Sequence, residues 1–203
     1  MKQNTFIVLF LLFLSPVMQG QNALAAAFAK SYDQEARQNY TEAIRELKDL
    51  YDASSYEINL RLGWLHYKAG LYKESVTYYK AAIAQMPYAI EARLGCSYPL
   101  AALGNTDELA LQYDKVLEID PQNVKANYWR GMIHYNKKEY VQAFKHFEKL
   151  VNLYPFEHDG LLMFAWTNLK MGKMREAAVL FNKVLLLYSS DKSALEGLEI
   201  INK

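Results

Sequence analysis

The sequence has little of several residue types, and each shortage argues against a class of protein. Among 203 residues there is one cysteine, Cys96, so neither an internal disulfide nor a cluster of thiolate metal ligands can form. With only 9 glycines and 5 prolines, the chain lacks the turn residues typical of an all-β protein. The 23 basic and 22 acidic residues nearly balance, and the missing basic excess argues against a nucleic-acid-binding protein.

The residues that are abundant predict a folded, aromatic-rich chain. Hydrophobic residues make up 52% of the sequence, enough to build a core and unlike a disordered chain. Sixteen tyrosines dominate the aromatic residues. No stretch of linker composition divides the chain, so we treat residues 21–203 as one domain.

The N-terminus has the layout of a secretory signal peptide. Lys2 supplies a positive charge, residues 6–14 are all apolar, and Ser15-Pro16 leads into small and polar residues. Nine apolar residues are fewer than the roughly 20 that span a bilayer. We predict a signal peptide at residues 1–20; an uncleaved anchor and a buried N-terminal helix are the competing interpretations.

Cleavage is predicted after Gly20, with Ala25 and Ala27 as alternative sites. If the peptide is removed at one of these sites, we expect the mature protein to be exported and to have no stable membrane span. Because no cysteine lies near the cleavage region, a bacterial lipoprotein anchor is excluded. We expect the protein in the periplasm or cell envelope of a bacterium.

A spacing of 34 residues recurs along the rest of the chain. Pro87, Pro121 and Pro155 follow it. Three further columns with the same spacing hold small, aromatic and large side chains. They are Gly63, Ser97, Gly131 and Ala165; Tyr79, Tyr113, Phe147 and Phe181; and Trp64, Tyr98, Met132 and Trp166. Several independent columns with one period predict a repeat protein.

Each unit is predicted to contain two amphipathic helices. Glycine ends the first helix at Gly70, Gly104 and Gly172, where its tolerance of positive φ suits a C-terminal cap, and Lys137-Lys138 takes that place in one unit. The second helix closes near the proline, which cannot continue it. Asp191 is a plausible N-cap for one last amphipathic helix.

These features resemble the tetratricopeptide repeat, whose pattern is W-x-x-L-G-x-x-Y, then A-x-x-x-F, then P. Residues 56–89 hold Leu62-Gly63, Ser75-x-x-x-Tyr79 and Pro87 at the matching positions. The resemblance implies an all-α fold, a right-handed superhelical α-solenoid of antiparallel helix pairs with a C-terminal capping helix. We divide residues 21–203 into a degenerate repeat 24–55, repeats 56–89, 90–123, 124–157 and 158–191, and a capping helix 192–203.

The resemblance further implies that the first helix of each pair lines a concave face on which partners bind. Stripes along these helices predict a peptide-binding groove with aromatic walls and a mildly acidic edge, suited to an extended or helical apolar segment. The alternative is that the aromatic side chains pack against neighbouring helices and bind nothing. The predicted groove residues are Tyr32, Leu60, Trp64, Tyr67, Leu94, Tyr98, Tyr128, Met132, Tyr135, Leu162 and Trp166.

Some family features are not carried over. Members that clamp a C-terminal carboxylate use Lys, Asn and Arg on these stripes, and the stripes here lack such residues. Pro99 falls inside a first helix and is expected to kink it. Cys96 is expected to be a small buried hydrophobe, and His66 and His134 are expected to have packing roles.

The sequence therefore predicts a non-catalytic scaffold for protein partners. No metalloprotease helix motif, phosphate-binding loop or nucleophile elbow occurs, and we expect no cofactor and no metal. A second hypothesis is homo-oligomerisation through the groove or the capping helix. A third is an enzyme such as a cell-wall hydrolase.

Overall fold

The computed structural model describes the backbone of residues 16–203 and the side chains from residue 22 onwards. In this range eleven α-helices form and no strand does. They are α1 (Pro16–Ala36), α2 (Tyr40–Lys48), α3 (Tyr56–Lys68), α4 (Tyr72–Gln85), α5 (Ile90–Ala102), α6 (Thr106–Ile119), α7 (Val124–Asn136), α8 (Tyr140–Leu153), α9 (His158–Lys170), α10 (Met174–Leu187) and α11 (Lys192–Ile201).

The predicted signal peptide lies mainly outside the described residues, and it stays a prediction. Its last five residues belong to α1, which runs from Pro16 to Ala36 and includes the three predicted cleavage sites. Proline suits the first position of a helix, because the N–H that it lacks would have no partner there.

The helices pack as pairs that stack side by side. The two helices of each pair, from α1 with α2 to α9 with α10, contact each other closely, and each second helix contacts the next first helix. First helices also touch across pairs, α3 with α5, α7 with α9 and α9 with α11. The chain is an all-α solenoid, and α11 covers its C-terminal end.

Tight turns inside the pairs confirm the predicted glycine caps. Gly70, Gly104 and Gly172 have φ of 78°, 68° and 77°, in the left-handed region where glycine carries no steric cost. In the fourth pair Lys138 adopts the same conformation with φ of 62°. The N–H of Leu71 closes the first of these turns by donating to the His66 carbonyl at 2.8 Å.

The small residues in the repeat let an aromatic side chain fill the space between neighbouring pairs. Tyr79 of α4 packs onto Gly63 of its own pair and Gly95 of the next, and a Cβ added at Gly95 would lie 2.4 Å from the tyrosine ring. Phe181 similarly packs against Gly197 of α11. The close approach of first and second helices therefore depends on missing side chains at these points.

Two residues singled out in the sequence, Cys96 and Pro99, are buried in α5. Cys96 is fully buried, and burial raises the pKa of its thiol to about 12, which confirms the expected inert core residue. Pro99 is buried inside α5, but the helix continues past it to Ala102. The Pro99 carbonyl still accepts the Leu103 N–H at 3.0 Å, so the helix does not end at the proline.

Candidate functional site

A cavity of about 640 Å³ opens beside α1 and α3, and we call it the first cavity. Three predicted groove residues, Tyr32, Leu60 and Trp64, line it. The full lining is Phe28, Tyr32, Tyr56, Glu57, Leu60, Arg61, Trp64, Tyr79, Met86 and Glu91. The walls are thus mainly aromatic and apolar, with charged groups at defined points.

An aromatic cluster of Trp64, Tyr67 and Tyr98 links α3 to α5 along the same stripes. The ring centroids lie 5.7 Å apart for Trp64 and Tyr67, 5.4 Å for Tyr67 and Tyr98, and 6.2 Å for Trp64 and Tyr98. Such separations are typical of favourable aromatic pairs. The three predicted groove residues are therefore brought together.

A second cavity of about 320 Å³ adjoins this cluster towards α7. Tyr67 and Tyr98 line it together with Trp129, which is exposed. Lys125 contributes to the lining as well, and its Nζ sits 3.8 Å from the centroid of the Tyr98 ring. The cluster thus contributes wall to both cavities, Trp64 to the first and Tyr98 to the second.

The first cavity has an arginine in its wall. Arg61 is only 7% exposed, and its guanidinium lies 3.8 Å from the centroid of the Tyr32 ring. Its Nε donates to Ser31 Oγ at 3.1 Å and its Nη1 to Glu35 Oε2 at 2.5 Å. The other Glu35 oxygen accepts the indole N–H of Trp64 at 2.5 Å. Within the described structure Nη2 of Arg61 is buried without a hydrogen-bond partner.

Two carboxylates stand at the rim of the first cavity. Tyr56 donates its hydroxyl hydrogen to Glu91 Oε1 at 2.6 Å, and the Ser55 hydroxyl donates to Glu57 Oε2 at 3.1 Å. Burial, together with the bond to Glu91, raises the pKa of Tyr56 well above its usual value. Tyr56 therefore stays protonated and holds the Glu91 carboxylate in place.

The predicted groove residues of the C-terminal half pack against neighbouring helices and line neither cavity. Tyr128, Met132 and Tyr135 pack on the core around Phe147, and Leu162 and Trp166 on the core around Phe181. The Trp166 indole N–H donates to Ser193 Oγ at 2.8 Å. Leu94 likewise packs on a core cluster, the one around Tyr113. Leu60 and Trp64 also pack on core clusters, so packing alone does not separate the two interpretations made from the sequence.

Exposure varies along the predicted groove. Tyr32 and Tyr98 are exposed by 55% and 41%, while the other nine predicted residues are half-buried. None of the eleven is fully buried. The two most exposed of the predicted groove residues, Tyr32 and Tyr98, therefore each line one of the two cavities.

The stripes of the repeat pattern did not identify Arg61, Tyr56, Met86 and Trp129 as residues of a cavity wall. Arg61 and Trp129 each come one residue after a predicted groove position, and the stripes admitted only the residues in register. The sequence nevertheless contains an indication for Arg61. Apolar residues flank this cation in a first helix, and Glu35 lies in the first helix of the preceding unit. Opposite charges on adjacent first helices suggest a pair.

Three histidines, His66, His134 and His146, contact neighbouring groups of the protein. His66 is buried with its Nδ1 2.7 Å from the Leu62 carbonyl oxygen, and burial lowers its pKa. His134 and His146 stack with centroids 5.6 Å apart, and burial lowers the pKa of His146 to about 4.

Over residues 22–203 no group of three side chains has the arrangement of a metal site. From Pro16 onwards, no helix is both long and apolar enough to span a bilayer.

Comparison of the sequence with models of known protein families supports the repeat fold. Two segments, residues 28–90 and 124–156, match family models described as tetratricopeptide repeat. No curated protein matches the sequence.

Solved structures are similar over most of the chain. A tetratricopeptide repeat protein from Parabacteroides merdae ATCC 43184 superposes with a TM-score of 0.77 at 20% identity, covering 89% of this chain and 72% of that one. MamA residues 41 to the end from Desulfovibrio magneticus RS-1 gives 0.72 at 20%, covering 84% and 98%. A further MamA structure gives 0.72 at 17%, covering 81% and 91%. The repeat matches and the stacked helix pairs together identify the chain as a tetratricopeptide repeat protein.

Proposed function

We propose that this protein is a non-catalytic scaffold that acts outside the cytoplasm and holds a segment of a partner protein in its aromatic groove. The first cavity carries the proposal, because it is large, open and walled mainly by aromatic and apolar side chains. Stacked helical repeats in general present extended binding surfaces of this kind. The export step is supported by the N-terminal sequence alone.

The groove is confined, in this proposal, to the part of the chain between α1 and α7. Trp64, Tyr67 and Tyr98 form its centre, with a cavity on either side. Aromatic rings give large contact area with few rotatable bonds, which lowers the entropy lost on binding. The packed stripe from Tyr128 to Trp166 then supports the solenoid and contributes little to binding.

Cross-linking in the native host followed by partner identification tests this function. We expect Trp64→Ala combined with Tyr98→Ala to abolish capture, since truncating a central aromatic residue typically costs about 2 kcal/mol or more of binding energy. Tyr88→Ala is the matched control, because Tyr88 is largely in solvent between α4 and α5 and lines neither cavity. Capture that survives the double substitution, with helical content unchanged, refutes the groove.

A second candidate function is self-association, favoured by apolar side chains near the C-terminal end. Leu186 is 76% exposed, and Val179, Tyr188, Leu195 and Ile200 are exposed too. Exposed apolar groups close together often mark an interface. Light scattering over a range of concentrations distinguishes the two functions, since a strict monomer at high concentration rules out self-association.

A further inference from the structure

Negative charge exceeds positive charge around the first cavity. Arg61 and Glu35 form an ion pair, so their charges largely cancel. Glu57 and Glu91 remain, both exposed and both in the cavity lining. Among the described residues that line this cavity there is no lysine and no further arginine. The cavity therefore presents two uncompensated carboxylates to whatever enters it.

Arg61 contributes to the wall of the first cavity, but its charge is not available to an occupant. Its side chain is more than nine-tenths buried and is paired with Glu35. Its Nη2, which has no hydrogen-bond partner among the described residues, is itself buried and is not exposed to the cavity. The charges that an occupant meets are therefore those of Glu57 and Glu91.

We propose that the first cavity binds a polypeptide segment in which a lysine or arginine stands next to a large apolar residue. The cation pairs with Glu57 and Glu91 at the rim. The apolar side chain lies against Leu60, Trp64 and Met86. This proposal rests on the proposed function and specifies the chemical class of the partner segment.

The rim is organised in advance for a cation. The Tyr56 hydroxyl fixes Glu91 and the Ser55 hydroxyl fixes Glu57, so neither carboxylate has to be ordered on binding. Neither of them forms an ion pair with a basic residue of the described chain. An acidic segment, such as one ending in a free carboxylate beside acidic residues, is disfavoured by the same charges.

Selection from a phage-displayed library of random nonapeptides on the immobilised full-length chain tests this proposal. We expect the selected pool to be enriched in peptides that combine a large apolar residue with Lys or Arg, the basic residues exceeding Asp and Glu by about threefold over the unselected library. With Glu57→Gln and Glu91→Gln together, the basic excess falls to the level of the unselected library while apolar enrichment persists.

Two further variants separate the charge preference from groove binding. Glu148→Gln with Glu196→Gln removes two exposed carboxylates that line neither cavity, and leaves the preference unchanged. Trp64→Ala abolishes apolar enrichment. A wild-type pool enriched in apolar peptides without a basic excess, or a basic excess that survives loss of both rim carboxylates, overturns the charge proposal and leaves groove binding intact. A wild-type pool with no enrichment overturns both.

Discussion

At the scale of single residues, Glu35 holds two side chains of the first cavity's wall in place. It bonds Arg61 and Trp64 at once, and so ties α1 to α3 across the wall of the first cavity. Replacing Glu35 by glutamine removes the charge that balances a buried arginine. We expect the free energy of unfolding to fall by about 3 kcal/mol, the range found when a buried pair is broken on one side.

The matched control for Glu35→Gln is Glu42→Gln. Glu42 pairs with Arg45 one turn along α2, and both side chains are largely in solvent. An exposed pair of this kind contributes about 0–1 kcal/mol. Urea unfolding followed by circular dichroism measures both changes. Equal effects of the two substitutions would show that the Arg61 pair is no more important than a surface pair.

Gly197 provides the second residue-scale prediction. A Cβ at this position would lie 2.2 Å from the Phe181 ring, which is fully buried. Alanine normally favours a helix over glycine by about 1 kcal/mol, but forced overpacking costs roughly 1–3 kcal/mol. We expect Gly197→Ala to lower the melting temperature by roughly 2–6 °C.

Glu196→Ala serves as the control for Gly197→Ala in thermal melts. Glu196 is exposed on the same helix, and a substitution there should change stability by no more than about 0.5 kcal/mol. A melting temperature that rises in Gly197→Ala would mean that helix propensity outweighs the contact with Phe181.

Individual residues differ in how far the sequence determines them. Periodicity identifies Tyr79 and Phe181 as the aromatic residues between pairs, because the same column recurs every 34 residues. It does not reveal that Tyr79 also needs Gly95, since that contact crosses to the next pair. Nor does it separate Trp64 from Trp166, which share a column while one lines a cavity and the other donates to Ser193.

At the scale of helices, a histidine joins the start of α9 to the start of α11. His158 Nδ1 lies 2.7 Å from Asp159 Oδ1, and its Nε2 lies 2.8 Å from Asp191 Oδ2. Asp191 also caps α11 by accepting the Ala194 N–H at 2.8 Å. Bonding to Asp159, and secondly to Asp191, raises the pKa of His158, while the Ala194 N–H lowers the pKa of Asp191.

This junction makes stability depend on pH. A histidine with a raised pKa stabilises the fold fully below its unfolded pKa of about 6.5, and the contribution is lost as pH rises through the folded value. The lowered pKa of Asp191 adds stability above about 3.8 that is lost as pH falls. We expect wild type to exceed His158→Gln in stability most clearly between about pH 4.5 and 6, with the difference shrinking towards pH 8.

Denaturant unfolding of both proteins at a series of pH values measures this difference. A background with Asp159→Asn and Asp191→Asn is the control, since it removes both carboxylate charges that favour the protonated histidine and should make the effect of His158→Gln nearly independent of pH. A difference between wild type and His158→Gln that is as large at pH 8 as at pH 5 would mean that the histidine acts by packing alone.

Helix positions and turns are predicted well by the sequence, and interhelical links are not. Asp191 confirms its predicted capping role, and the glycine turns confirm theirs, because both depend on a few adjacent residues. The His158 bridge joins residues 33 apart in the chain and depends on how α11 docks. At Pro99, α5 is continuous although proline disfavours the interior of a helix, and the kink expected there stays a prediction.

At the scale of the whole molecule, the two cavities of the proposed groove lie in one part of the solenoid. Both of them and the aromatic cluster lie between α1 and α7, while the predicted groove residues from Tyr128 onwards are half-buried and line neither cavity. Repeat periodicity predicts equivalent surfaces in every unit. Arg61 and Trp129 stand in one column of the repeat whose other members are Gly95 and Met163, so repeat rules alone do not localise the site.

Removing the capping helix α11 tests whether the stability of the stacked pairs depends on a cover at their C-terminal end. In an array of repeats each pair is stabilised by its neighbours, so the last pair needs a cover. Phe181 and Val184 are fully buried beneath α11, and fully burying a large apolar side chain contributes about 1.5–3 kcal/mol. Deleting residues 191–203 should lower the free energy of unfolding by roughly 3–6 kcal/mol and promote aggregation. Deleting only residues 202–203, which lie beyond α11, should leave stability unchanged in the same urea titration. A full-length melting profile retained after loss of α11 would show that the pairs before it are stable without a cover.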